Sequence, residues 1–304
     1  MKEILSAKIQ LPSGGFYGYT AIGGYAAAQL EAISKICGAT PVSGGVPPPP
    51  GAHWCVIEEI SRGEVDKFTP VEPDKYTLFE PTIIMKIDKA TLNAKVYIVP
   101  SSHLTGEQTG FLWRRLYYLP LLSAVTSTAT CVAHGVLAEF EGKGVIVSGP
   151  SGIGKSTASR RLPEPWRVLA DDCMIVQKLA DGFHAAPVPT WSLFYTANCE
   201  SRSFACDRQV KVDTLFLLDR GPDHAEPIDR KQAIVGFTRS VGDMTKIMTG
   251  RLPGAERKNV FDRGFAMAAD LAGTLRVRHL FATLEGKFWT AMEETLNGKE
   301  CKNE

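Results

Sequence analysis

The sequence predicts an α/β fold with a mixed sheet, preceded by a strand-rich α+β portion, and three observations carry that reading. A glycine-rich loop, Gly149–Ser156, stands between an apolar run at Gly144–Ser148 and a helical pattern that begins at Ser156. A second apolar run, Arg167–Ala170, ends on the acidic pair Asp171–Asp172. Further on, Ala180-Asp181-Gly182 separates Met174–Leu179 from Phe183–Pro187, and an Asp-Gly between two such runs is a strong hairpin signal, so part of the sheet is antiparallel.

Taken in order, Tyr25–Cys37 has helical spacing, and Gly44–Gly51 (GGVPPPPG) is a stiff loop or linker. His53–Ile60, Thr82–Ile87 and Ala94–Val99 read as short strands, which makes residues 1–105 an N-terminal α+β portion suited to holding a substrate or partner. A helix over Glu107–Ala129, interrupted by Pro120, opens the second portion, residues 106–304, and leads into CVAHGVLAEF, where AHGVLAEF reads as a strand near the loop strand. The helix after the loop, Ser156–Leu162, is cut short by Pro163 and Pro165. Val212–Leu218 is a buried strand; helices at Asp229–Val241 and Asn259–Leu275, a strand at Val277–Ala282 and a helix at Lys287–Leu296 complete the chain without the repeated βα alternation of a doubly wound sheet.

Composition excludes several classes. With 304 residues, 44% apolar and 22% charged, the chain can bury a full core and is neither disordered nor fibrous. A net charge of +1 offers no general attraction to nucleic acid or anionic lipid, so any phosphate binding is local; neither nucleic acid nor membrane is expected as a partner. Seven cysteines show no CxxC or Cys/His zinc spacing and read as reduced thiols. The start, MKEILSAKIQLPSG, is too polar for a signal peptide, and Leu116–Val125, the most apolar stretch, is too short to span a bilayer, so the expected location is cytoplasmic.

Gly149-Pro150-Ser151-Gly152-Ile153-Gly154-Lys155-Ser156 fits G-x-x-x-x-G-K-[ST] in the strand-to-helix setting that the motif requires. Its glycines let backbone N–H groups turn in around phosphate oxygens, Lys155 reaches the β and γ phosphates, and Ser156 can ligate Mg²⁺. Asp171 follows Lys155 by only sixteen residues, closer than the acidic strand of most P-loop NTPases, and no glutamate stands beside it to activate water. A helix-capping turn would also use such a pair. His134, in AHGVLAEF, is either core packing or part of the site. Arg202 and Arg208, with Lys211 nearby and Arg239 further on, are candidate cations for transition-state charge.

The sequence HGV, then GVIVSGPSGIGKS, then VLADD resembles the C-terminal domain of HPr kinase/phosphorylase. The same loop with a close Asp-Asp pair is also similar to phosphoenolpyruvate carboxykinases, whose fold that domain shares. The resemblance is firm over residues 130–180. It implies a P-loop kinase domain with a mixed sheet over residues 106–304. It implies Asp171 as the base for a substrate hydroxyl, Asp172 and Ser156 on Mg²⁺, Lys155 on the phosphates of ATP with His134 beside them. The rest of the loop, Gly149, Ser151, Gly152, Ile153 and Gly154, with Thr157 after it, would cradle the nucleotide. Two features depart from the family. Its ExRGxG segment is replaced by Phe183–Ser192 (FHAAPVPTWS), which speaks against HPr as acceptor and puts a metal ligand and the phosphorylase activity in doubt, and the helix after the loop is short. PVPTWS is similar to a Pro-Trp element of HPr kinase-like proteins in peptide-modification cassettes, including those that phosphorylate lasso-peptide precursors, which makes His184, Trp191 and Ser192 substrate-side candidates beside the reading of an ordinary hairpin.

The expectation is therefore an ATP-dependent kinase that phosphorylates a hydroxyl, serine first, of a peptide, protein or small molecule. A homo-oligomer is left open. The alternative is a nucleotide-dependent switch or ATPase-like module that needs no acceptor; a carboxykinase lacks recognisable substrate arginines.

Overall fold

The computed structural model describes residues 3–10, 15–42, 53–68, 72, 74–80, 82–101, 105–127, 129–191, 203–249, 252 and 254–298. The Gly44–Gly51 loop, Ser192 and Arg202 lie outside these residues. The chain forms two compact units, Met1–Ala124 with Trp191–Asp207, and Val125–Thr190 with Arg208–Glu304. Both are mixed α/β, each built on a mixed sheet.

In the first unit, among the described residues, seven strands run in the order β3-β1-β2-β4-β7-β6-β5. They are β1 (Ile4–Gln10), β2 (Phe16–Ile22), β3 (Thr40–Pro41), β4 (His53–Glu59), β5 (Lys75–Glu80), β6 (Ile83–Asp88) and β7 (Ala94–Ile98). β2, β4 and β7 are parallel neighbours, and the remaining pairings are antiparallel. Helix α1 (Gly24–Cys37) packs on β1, β2 and β4 through Ala26, Ala27, Leu30, Ile33 and Ile36, an i, i+3/i+4 stripe. A one-turn helix, α2 (Val65–Phe68), follows β4. The expected strands and the first helix are present within a residue or two. Strands β1, β2, β3 and β5 are not expected from the sequence: β3 is only two residues long, and the apolar residues of the others are interspersed with polar ones or glycine.

Pro120 does not interrupt the long helix α3 (Gly106–Ser127), contrary to expectation. Proline lacks the N–H that would bond the carbonyl four residues back, which is that of Leu116. The hydroxyl of Tyr19, buried on β2, donates to Leu116 O at 2.8 Å and takes the place of the missing donor.

The second unit has, among the described residues, nine strands. They are β8 (Thr130–His134), β9 (Val136–Phe140), β10 (Lys143–Ser148), β11 (Arg167–Ala170), β12 (Cys173–Leu179), β13 (Gly182–Pro187), β14 (Val210–Arg220), β15 (His224–Pro227) and β16 (Arg276–Ala282). Their order is β11-β9-β10-β14-β13-β12-β8, with β16 also on β14 and β15 on β16. β10, β14 and β16 run parallel; β9 lies antiparallel to β10, and β12–β13 is the hairpin that Asp181-Gly182 predicts.

Side chains alternate across this sheet with period two. Leu137, Ile146, Leu215 and Leu217 face one core, which α5 (Arg230–Thr249) and α6 (Gly254–Thr274) close with Phe237, Val241, Met267 and Leu271. Val136, Ala138, Val145, Val147, Phe216 and Leu218 face the other, closed by α4 (Lys155–Arg161) and α7 (Trp289–Leu296) with Ala158, Ala291 and Met292. Helix α4 is short as expected. Helix α5 runs past Val241, where the pattern had suggested its end. Gly242 brings the two helices together there: a side chain at that position would press on Phe261 of α6. Among the described residues no helix is long and apolar enough to cross a membrane.

Candidate functional site

The glycine-rich loop leaves the end of β10 beside its parallel neighbour β14 and enters α4. Gly152 and Gly154 have φ of 78° and 115°, in the left-handed region that residues with a Cβ rarely adopt, so the loop's tight turn depends on them. Ile153 partly packs on the core below, while Ser151, Ser156 and Thr157 are exposed. Lys155 is 5% exposed, and its ammonium folds back to donate to the carbonyls of Gly149 at 2.8 Å and Pro150 at 3.0 Å.

Strand β11 carries the acidic pair to the same place. Asp171 and Asp172 occupy the bend between β11 and β12, and Ser156 Oγ donates to the Asp171 carbonyl at 3.3 Å. Strand β8 brings His134, which faces Cys173 across the β8–β12 ladder. Gly135 N–H donates to Asp172 O at 3.0 Å, and a side chain at Gly135 would collide with the Val147 carbonyl, which accounts for glycine after the histidine. His134 Nε2 is 3.6 Å from Asp172 Oδ1, near but too far for a hydrogen bond. Lys155, Ser156, Asp171, Asp172 and His134 are thus brought together at one end of the sheet.

Electrostatics tie these groups. Burial lowers the pKa of Lys155, opposed by the negative charges of Asp172 and Asp243. Burial first, and then the charge of Lys155, hold the His134 imidazole below its ordinary value, with Asp172 and Asp243 opposing, so it is neutral at pH 7. Among the described residues no group of three or more His, Cys, Asp or Glu side chains is arranged to hold a metal ion.

Three residues that sequence reading missed belong to this region. Asp243, exposed on α5, acts on both Lys155 and His134, and its helix is held to the end of β10 by a buried contact between the Ser240 and Ser148 hydroxyls. Arg220, at the end of β14, donates to Gly152 O at 3.2 Å. The Thr190 hydroxyl donates to Asp171 Oδ1 at 2.6 Å. No local motif marks any of them.

His184, Trp191 and Arg208 fall elsewhere. His184 bonds Asp181 at 2.9 Å near the hairpin turn, at the far end of β12–β13 from Asp172. Trp191 is buried in the first unit against Tyr117, with ring centroids 5.7 Å apart. Arg208 is ion-paired with Glu139 of β9. Arg239 is exposed on α5 one turn before Asp243.

Comparison with known proteins agrees with the HPr kinase-like relationship. The chain is 38% identical over 92 residues to an HPr kinase/phosphorylase of Geobacillus sp. (strain WCH70), covering 30% of this chain and 28% of that protein. It is 34% identical over 79 residues to the HPr kinase/phosphorylase of Bacillus subtilis (strain 168), covering 26% and 22%. The chain thus spans about a quarter of the length of these curated relatives. A solved structure, the Hpr(Ser) kinase/phosphatase from Coxiella burnetii, matches 32% of this chain and 70% of its own at 15% identity, with a TM-score of 0.21. The model of the family described as SynChlorMet cassette protein ScmC matches residues 82–297. With most of its length matched by that model, this chain, an HPr kinase-like protein, belongs to the ScmC family.

Proposed function

We propose that the protein is an ATP-dependent kinase that phosphorylates a hydroxyl, serine first, of a peptide, protein or small molecule. The observation that carries the reading is the bond from Ser156 Oγ to the Asp171 carbonyl, which holds a carboxylate pair against the first turn after a phosphate-binding loop. In the proposed reaction the acceptor hydroxyl gives its proton to Asp171, and its oxygen lone pair forms the new bond to the γ-phosphorus. The bond from that phosphorus to the β–γ bridging oxygen breaks, and its electron pair leaves with ADP. Phosphoryl transfer asks the protein mainly to position groups and spread negative charge, which the loop amides, Lys155 and Arg220 would do.

The Ser156 hydroxyl and the Asp172 carboxylate are hard oxygen donors of the kind magnesium takes together with phosphate oxygens, so they fit that ion, and magnesium held there would neutralise phosphate charge. His134, neutral beside Asp172, would complete the pocket without competing for phosphate as a second cation. The unit of residues 125–190 and 208–304, which makes up most of the expected 106–304 portion, would carry the catalysis and the other unit the acceptor or a partner, in the cytoplasm. The relatives' names refer to HPr; the replacement of ExRGxG by FHAAPVPTWS supports a different acceptor, and the family's description as a cassette protein is compatible with a peptide.

Incubation with labelled ATP and an extract of its own host tests the proposal: labelled phosphoryl should appear on an acceptor. Asp171→Asn keeps the shape of the side chain and removes the base; it should lower transfer roughly 100-fold or more while ATP still binds. ADP release at full rate without any acceptor would instead favour the switch or ATPase-like module, and unchanged transfer by a folded Asp171→Asn would refute the assignment of the base.

A further inference from the structure

We propose that Thr190 is a positioning residue for phosphoryl transfer: its hydroxyl holds one oxygen of Asp171 so that the other faces the acceptor. The inference rests on the reading of Asp171 as the base. A carboxylate turns broadly about its last side-chain torsion, so its oxygens have no single preferred direction. A base must nonetheless present one oxygen within hydrogen-bond reach of the proton it takes. Thr190 supplies the missing constraint: it is 3% exposed, and its hydroxyl donates to Oδ1 at 2.6 Å. With Ser156 Oγ on the Asp171 carbonyl, the residue is held at both its main chain and its side chain.

Thr190 is itself held in place. Pro187 and Pro189 fix their own φ on the approach to it, and Val188 N–H donates to Cys173 O at 3.1 Å, tying the segment to the start of β12. The Pro-Val-Pro-Thr run, which in sequence looks like the exit from a hairpin, gains a reason in rigidity from its prolines and a donor from its threonine.

The proposal is tested on the full chain with Thr190→Val, which keeps the shape and removes the donor, and Thr190→Ser, which keeps the donor. Transfer from labelled ATP into host extract gives the rate, and its dependence on ATP gives KM. We expect Thr190→Val to lower kcat roughly 10- to 100-fold with KM for ATP within about twofold, and Thr190→Ser to recover most of the rate. Thermal melting checks folding, and Thr190→Ala replaces the valine variant if that does not fold.

A valine variant with parental kcat, equal losses in valine and serine variants, or a loss confined to KM for ATP would each overturn the proposal. Asp171→Asn assayed alongside separates the levels. If it is inactive while Thr190→Val is normal, only the positioning role fails. If it is fully active, or if the parent transfers no label, the kinase reading fails and takes this inference with it.

Discussion

Lys155 is buried at the loop with its charge resting on two backbone carbonyls, and those are weak substitutes for phosphate oxygens. Under the proposed reading, replacement by alanine would remove charge-assisted bonds to the nucleotide, so Lys155→Ala should weaken ATP binding roughly 10- to 100-fold, measured by titration calorimetry. Arg220 reaches the same loop from β14 but is exposed, so Arg220→Ala should cost less, roughly a several-fold rise in KM for ATP. His134 gives a pH signature. Its imidazole titrates below 6.5 in the folded protein because burial and Lys155 oppose its charge. Between the folded value and 6.5 the unfolded chain binds more protons than the native one, so this group makes stability rise with pH in that window and fall on acidification through it. A His134→Asn variant should therefore show a shallower loss of melting temperature as the pH is lowered from 7 toward 5.

Helix α3 survives its proline because an element remote in sequence supplies the absent donor. Tyr19→Phe removes the hydroxyl without changing the ring, and leaves Leu116 O without that partner inside the unit. The expected cost is about 1–3 kcal/mol in urea denaturation, against near-neutrality if the helix opens there to water. In the β6 region, Lys86 is 8% exposed and is paired with Glu72, whose carboxyl is lowered to about 2 by hydrogen bonds from Lys75 and Lys86. This pairing stabilises above the ordinary carboxylate value of 4.5 and is lost as the pH falls toward 2, so Glu72→Gln should destabilise the protein at neutral pH and not at pH 2.

At the scale of the molecule, the first unit is not one stretch of chain. Trp191, Phe204 and Cys206, which follow β13 in sequence, are buried in it, and Phe204 N–H donates to Ile36 O at the end of α1 at 2.8 Å. Residues 1–124 expressed alone should therefore be less stable than the same unit in the whole chain by roughly 3 kcal/mol or more, the burial of two large side chains. A synthetic 191–207 peptide should restore part of that loss, read by urea denaturation. Local pattern sufficed for much of the rest. The glycine-rich loop, the Asp171–Asp172 pair, the β12–β13 hairpin and most strands of the second unit were legible because each depends on neighbours within a few residues: a φ that only glycine accepts, an alternation, a turn dipeptide. The nearness of His134 to that pair was legible only as a question. What the tertiary structure decided were relations between residues far apart in sequence: the bonds of Thr190 to Asp171, Arg220 to Gly152 and Tyr19 to Leu116, the charge of Asp243 felt at Lys155, and the burial of Trp191, Phe204 and Cys206 in the first unit. No spacing rule announces these, because long-range contacts are selected by the packing of the whole sheet and its helices, and a single polar side chain leaves no periodic trace of the partner it will meet.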